Sequence, residues 1–271
     1  MGNRKKCIKV SSFGSLFHFR KENAPKDASD NCFDCKYESE CCYSAKKLYL
    51  NPLISSSNWP CSVVLSSELQ NVIDIETSDI EELFLSKTEA EKKSLVEKCL
   101  ENNKTNYGRC VYKMDNDVCD NQVVNMIFDD SSTATLTMIA FSKDVCARKT
   151  KIYGTKGELD WDDSKTENKI VHYDFLTNKT QNIDYENAAP KFSKGGLSGE
   201  NIKLSGHGGS DYWLMDSFIE AILKKDKSLI LTDVEDSFRS HLIVFAAEYS
   251  RVSQKIVDIK EFCQQNDITL A

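Results

Sequence analysis

The stretch N-Q-V-V-N-M-I-F-D-D-S-S-T-A-T-L-T-M-I, residues 121–139, decides the fold class. Val123, Asn125 and Ile127 alternate with Gln122, Val124 and Met126; Thr133, Thr135 and Thr137 alternate with Ala134, Leu136 and Met138. A period of two, rich in Thr and β-branched residues, marks half-buried antiparallel strands. Asp129 to Ser132 is a short polar turn, so the two runs are predicted to form a hairpin, 121–128 with 133–141.

Outward from that hairpin, strands are predicted at 7–19, 109–114, 145–153, 157–162, 169–176 and 179–185, with turns at Gly154 to Gly157 and at Leu176 to Lys179. Helices are predicted at about 43–49, 89–100, 210–225 and 233–253, with Asp233 capping the last. In E-A-E-K-K-S-L-V-E-K-C-L (89–100), Leu95, Val96, Cys99 and Leu100 fall on one stripe opposite Glu and Lys. A short strand at 255–259 and a helical turn at 260–266 close the chain. Runs of strands bracketed by helices predict an α+β fold: one large, mainly antiparallel or mixed open sheet with helices on one face.

A chain of 271 residues suits one large domain or two small ones, and a single domain over 1–271 is expected. The formal charge of −7 argues against nucleic acid or an anionic membrane surface as the main partner. No apolar run approaches the roughly 20 residues of a membrane span. The basic N-terminus has no apolar segment behind it, so no signal peptide is read, and the sequons at Asn103 and Asn178 are expected to be idle. Eleven cysteines without a secretion signal read as reduced thiols in a cytoplasmic protein.

Seven of those cysteines, at 7, 61, 99, 110, 119, 146 and 263, look scattered. The other four form the set Cys32-x2-Cys35-x5-Cys41-Cys42 inside an excursion over 20–50 that has little apolar content. Thiolates at this spacing suit a structural zinc ion, with Cys32, Cys35 and Cys41 as ligands and His18 completing a Cys3His set. Free thiols packed under a loop, or a disulfide, are the other readings.

S-G-H-G-G-S-D-Y-W-L-M-D-S-F (205–218) places His207 in a Gly-rich turn that opens a helix near Ser210 or Asp211. An imidazole there can donate to or accept from a substrate hydroxyl and exchange a proton near neutrality; the alternative is a solvent-exposed loop histidine. Asp211 reads as a hydroxyl ligand or a helix cap, and Tyr212 as a stacking platform or a packed ring. Tyr107 and Arg109 flank Gly108 in a turn, where the guanidinium offers a planar fork to a carboxylate or phosphate or forms a surface ion pair. Asp115, Asp117 and Asp120 could accept hydrogen bonds from a polyol or simply shape turns.

Taken in order, V-S-S-F-G-S-L (10–16), C-C-Y-S-A-K-K-L-Y (41–49), Y-G-R-C-V-Y (107–112), D-N-D-V-C-D-N-Q-V-V-N-M (115–126), I-Y-G-T-K-G-E-L (152–159), S-G-H-G-G-S-D-Y (205–212) and R-S-H-L-I-V-F-A-A-E-Y-S-R (239–251) resemble the C-terminal domain of the Gfo/Idh/MocA family of NAD(P)-dependent oxidoreductases. The resemblance runs from about Cys7 to Phe262, with a helical insertion at 65–100, of which 65–87 is expected at the surface. It implies a sugar or polyol substrate held by His207, Asp211, Tyr212, Tyr107, Arg109 and Asp117. It also implies an open sheet face for homo-oligomers or for pairing with full-length relatives. The family's Rossmann domain and Lys-Pro catalytic lysine have no counterpart here: none of the four prolines follows a lysine, and no G-x-G-x-x-G follows a strand pattern. M-G-N-R-K-K is therefore expected to be an internal piece of a longer sequence. NAD(P) is implied for the family and not expected to bind this chain alone. A non-enzymatic dimerisation module and a glycosidase-type relative are the alternatives.

Overall fold

The computed structural model describes residues 5–50, 64, 84, 86–101, 106–144, 146–165, 170–183, 210–230 and 232–269. The fold is α+β. The chain divides into two compact units, residues 1–141 with 245–268, and residues 142–244 with 269–271. Among the described residues the strands form two four-stranded antiparallel sheets rather than one continuous sheet.

In the first unit, β1 (Cys7–Ser15), β2 (Asn121–Phe128), β3 (Thr133–Ile139) and β8 (Val257–Asp258) lie in the order β3-β2-β1-β8. The predicted hairpin forms with Val124 opposite Leu136 and Asn125 opposite Thr135. Val10 pairs with Met126 and Ser12 with Val124, so one face gathers the buried Val10, Ser12 and Val124. Helix α3 (Val234–Ser253) belongs to this unit from Phe245 onward. Because β8 pairs only with Lys9 and Val10, the Ser12 N–H lies beyond its end and donates to Ser250 Oγ at 3.0 Å. Ser250 Oγ in turn donates to the Lys255 carbonyl. Buried polar groups pair in this way because an unmet donor costs about 1–3 kcal/mol. On the opposite face Phe13 and Ile127 remain 59% and 42% exposed.

The predicted first strand, 7–19, ends at Ser15. The N–H groups of Phe17, His18 and Phe19 leave the ladder and bond one carboxylate, that of Asp120. Helix α1 (Glu89–Glu101) starts where T-E-A-E permits a capping box. The Thr88 N–H donates to Glu91 Oε2 at 2.9 Å, and the Glu91 N–H to Thr88 Oγ1 at 3.4 Å. Its predicted stripe is the buried one: Val96, Cys99 and Leu100 are essentially inaccessible, and Leu95 packs beside them. They meet Cys32, Ala45, Leu50, Val64 and Phe84, so the Cys-rich excursion borrows its core from α1. Of the three described residues of the expected surface insertion at 65–87, Phe84 is 1% exposed and lies in that core, whereas Ser86 is exposed. The helix predicted at 43–49 is a single π-helical stretch, Lys46–Leu50.

In the second unit β4 (Lys149–Tyr153), β5 (Gly157–Asp162), β6 (Ile170–Asp174) and β7 (Lys179–Asn182) form a meander in sequence order. Helix α2 (Ser210–Lys224) begins where the sequence predicts. Asp233 caps α3 by accepting the Asp236 N–H at 2.9 Å. Back in the first unit, α4 (Ile259–Gln265) follows β8 and is capped by Asp258, which accepts from Lys260 and Glu261 N–H. Among the described residues no helix is long and apolar enough to cross a membrane.

Truncating a side chain at the centre of the α1 core removes contacts on every side. Leu100→Ala is expected to lower the unfolding free energy by about 2–5 kcal/mol, read from urea denaturation.

Candidate functional site

The segment 106–113 was predicted as a turn followed by a strand at 109–114. The turn is there, with Asn106 in the left-handed region at φ 65°. The strand is not: Asn31 and Arg109 form one isolated antiparallel bridge, and Val111–Lys113 is a 3-10 turn. Around that bridge the Cys32 N–H donates to the Gly108 carbonyl at 2.9 Å, and the Cys110 N–H to the Asp30 carbonyl at 2.7 Å. The excursion turns away on either side of the bridge, so the pairing has no partner backbone to extend along. Gly108 sits against the C-terminal end of α1, where a Cβ would lie 1.7 Å from the Leu100 carbonyl oxygen. Any side chain is excluded there.

This bridge forms one wall of an open, polar cleft of about 920 Å³, lined by Lys21, Ser29, Asp30, Asp34, Arg109 and Lys113 together with Asn31. Arg109 Nη1 donates to Asn106 Oδ1 at 2.9 Å. Lys113 Nζ pairs with Asp30 at 2.9 Å and also donates to the Ala28 carbonyl. The hydrogen bond to Lys113 pulls the Asp30 carboxyl below its ordinary range, and the same bond raises the lysine. Both remain in contact with solvent, so the pair contributes little to stability. The cleft thus offers donors and acceptors side by side, the arrangement that suits hydroxyl-rich ligands.

The other predicted site residues do not gather there. Tyr107 packs on the α1 core with its ring 5.9 Å from that of Tyr49. Asp115 and Asp117 are exposed and do not line the cleft. Asp120 is buried and faces protein donors: Phe17 at 2.9 Å, His18 at 2.6 Å, Phe19 at 2.9 Å and Asn121 Nδ2 at 3.0 Å. Burial raises its pKa, but the three backbone N–H groups and Asn121 outweigh burial and hold it at about 2. His207 lies outside the described residues. Asp211 and Tyr212 fall in the first turn of α2, with their side chains outside the described residues.

His18, expected to face the cysteines, points into a ring cluster instead. Its centroid is 5.0 Å from Phe19, 5.3 Å from Tyr43, 5.4 Å from Tyr112 and 5.6 Å from Phe141. Its Nε2 lies 3.2 Å from the Tyr112 hydroxyl. Burial, then the neighbouring thiols, push Tyr112 up to about 12, so it is a neutral hydrogen-bonding group across the physiological range. His241 Nδ1 lies 2.7 Å from the Ser237 carbonyl oxygen within α3.

No family model matches the chain, and no curated protein or solved structure matches it.

Two outcomes follow from this geometry. The folded pKa of Asp120 lies below its ordinary 3.8, so its stabilising contribution is present above that value and is lost as pH falls toward about 2. Asp120→Asn is expected to cost about 1–3 kcal/mol near neutral pH. It should also flatten the acid limb of a stability profile followed by circular dichroism; an unchanged limb would count against the assignment. Gly108→Ala is expected to cost at least the roughly 1–3 kcal/mol of overpacking, seen as a lowered Tm.

Proposed function

We propose that this chain is the substrate-holding portion of an NAD(P)-dependent sugar or polyol oxidoreductase of the Gfo/Idh/MocA type. The observation that carries the reading is the ordered set of seven blocks between residues 10 and 251. Two further features support it. One is the α+β fold with its antiparallel sheets; the other is the polar cleft, in which the Y-G-R-C block supplies Arg109.

In this reading Arg109 and the Lys113–Asp30 pair meet the hydroxyls, or an acidic group, of a sugar. The described residues do not fit a dinucleotide. Both sheets are antiparallel, whereas the fingerprint for that cofactor needs a parallel strand, a Gly-rich turn and a helix N-terminus. In this reading the nicotinamide and the hydride-transfer lysine come from outside the described residues. Association of copies through the open face that exposes Phe13 and Ile127 belongs to the same reading. So does a reducing, cytoplasmic setting for its eleven cysteines.

Saturation-transfer NMR of the chain with a neutral hexitol, an aldonate and a sugar phosphate tests this. At least one is expected to bind, and Arg109→Ala should weaken an anionic ligand about tenfold or more, the worth of a charge-assisted hydrogen bond. Absence of binding by a demonstrably folded chain overturns the reading. So does tight, stoichiometric NADH binding by the chain alone.

A further inference from the structure

Three cysteines close in sequence and a fourth about seventy residues on line one small cavity in the first unit. Cys32, Cys35, Cys41 and Cys110 surround a space of about 20 Å³, closed elsewhere by Pro25, Ala28, Tyr43 and Tyr112 among others. The backbone delivers each thiol separately. Cys32–Asp34 is a 3-10 turn whose C-cap is Cys35, and the Cys35 N–H donates to the Cys32 carbonyl at 3.3 Å, so both thiols leave one turn. Cys41 is fixed by its N–H to the Tyr37 carbonyl at 2.9 Å. Cys110 is brought in by the Asn31–Arg109 bridge.

The backbone N–H groups of Ala45 and Tyr43 lie near the Cys32 and Cys41 thiols. Peptide N–H groups aimed at sulfur are the outer-layer support that a thiolate ligand needs. A bound metal ion deprotonates its thiol ligands outright.

We propose that Cys32, Cys35, Cys41 and Cys110 form a tetrathiolate site for one structural zinc ion. The size of the cavity selects a single ion, since about 10–15 Å³ holds one water-sized sphere. As the side chains stand, no three His, Cys, Asp or Glu groups among the described residues are set to hold a metal. Ligation requires the four thiols to turn toward the cavity that they all line. Loading is balanced by release of one proton from each thiol that ligates, leaving a zinc tetrathiolate of net charge −2 beside the ammonium of Lys113.

The ion ties the excursion over 20–50, whose buried apolar residues are few, to the turn at 106–113. It also braces the cleft. Asp30, Asn31, Asp34 and Arg109, which line the cleft, are each within two residues of a proposed ligand.

The test is elemental analysis of the untagged full chain after dialysis against metal-free buffer, with thiol counting before and after a strong chelator. About one zinc per chain is expected, with these thiols shielded from alkylation until the chelator is added. Cobalt exchanged for zinc is expected to show thiolate-to-metal charge transfer and tetrahedral ligand-field bands. Cys110→Ser and Cys41→Ser should lose at least about tenfold in zinc affinity, while His18→Ala and Cys42→Ser retain the ion. Four results would overturn the site: no metal with freely reactive thiols in the wild-type chain, a Cys32–Cys35 disulfide by mass, iron with inorganic sulfide, or zinc kept by Cys110→Ser and lost by His18→Ala. The wild-type measurements decide the matter even if a variant fails to fold, and they are independent of whether any sugar binds.

Discussion

The carboxylate of Asp120 is the constraint on which the first unit depends. It takes three consecutive N–H groups from Phe17, His18 and Phe19 at the point where β1 stops being a strand. Without an acceptor those donors would face the interior unpaired, since Asp120 itself is only 2% exposed. With it, the chain leaves the sheet in a fixed direction. That direction sets His18 and Phe19 against Tyr43, Tyr112 and Phe141, and Tyr43 and Tyr112 in turn wall the cavity that the cysteines line. One ionised group at the start of β2 therefore governs where an excursion of about thirty residues begins.

Most of the regular elements were legible because periodicity and capping are local. The Thr-rich alternation of 121–139 reads as a hairpin whatever else the chain does, and it forms in that register. T-E-A-E and Asp233 announce their helices through hydrogen bonds that span only three residues. The end of β1 and the fate of 109–114 were not legible, for the same reason in reverse. Phe17 to Phe19 give up strand pairing to a carboxylate more than a hundred residues away, and Arg109 finds a single bridging partner at Asn31. The grouping of the strands into two sheets is likewise a long-range property, because each hairpin reads alike whether it joins a neighbour or stands apart.

The cysteines show the same division. Cys32, Cys35 and Cys41 are a local pattern and stand out in the sequence. Cys110 looks like any scattered thiol until the bridge at Asn31 and Arg109 carries it across. Gly108, a residue without a side chain, stands two positions earlier. That glycine is required because the turn lies against the Leu100 carbonyl. His18 was drawn into the expected ligand set by its nearness in sequence, but its ring nitrogen meets the Tyr112 hydroxyl. Asp117 was drawn into the pocket by its company of carboxylates, of which only Asp120 is buried.

The cleft and the thiol cavity share one piece of backbone, and that sharing has a mechanical consequence. Successive residues of an extended chain point to opposite sides. At the bridge this sends Arg109 to the polar cleft and Cys110 to the cavity, and it divides Asn31 from Cys32 in the same way. The two sites are thus two faces of a single pair of antiparallel peptides, held by the Cys32 and Cys110 N–H bonds. A displacement that opens one face moves the other, because the pair is held by those hydrogen bonds, by Asn31 Nδ2 donating to the Leu100 carbonyl and by the packing of Gly108 on Leu100. Whatever tightens the thiol side therefore narrows the range of positions that Arg109, Asp30 and Lys113 can take toward a ligand. A polar cleft built on a segment with so little core of its own needs such an external clamp to hold its donors and acceptors at fixed spacing.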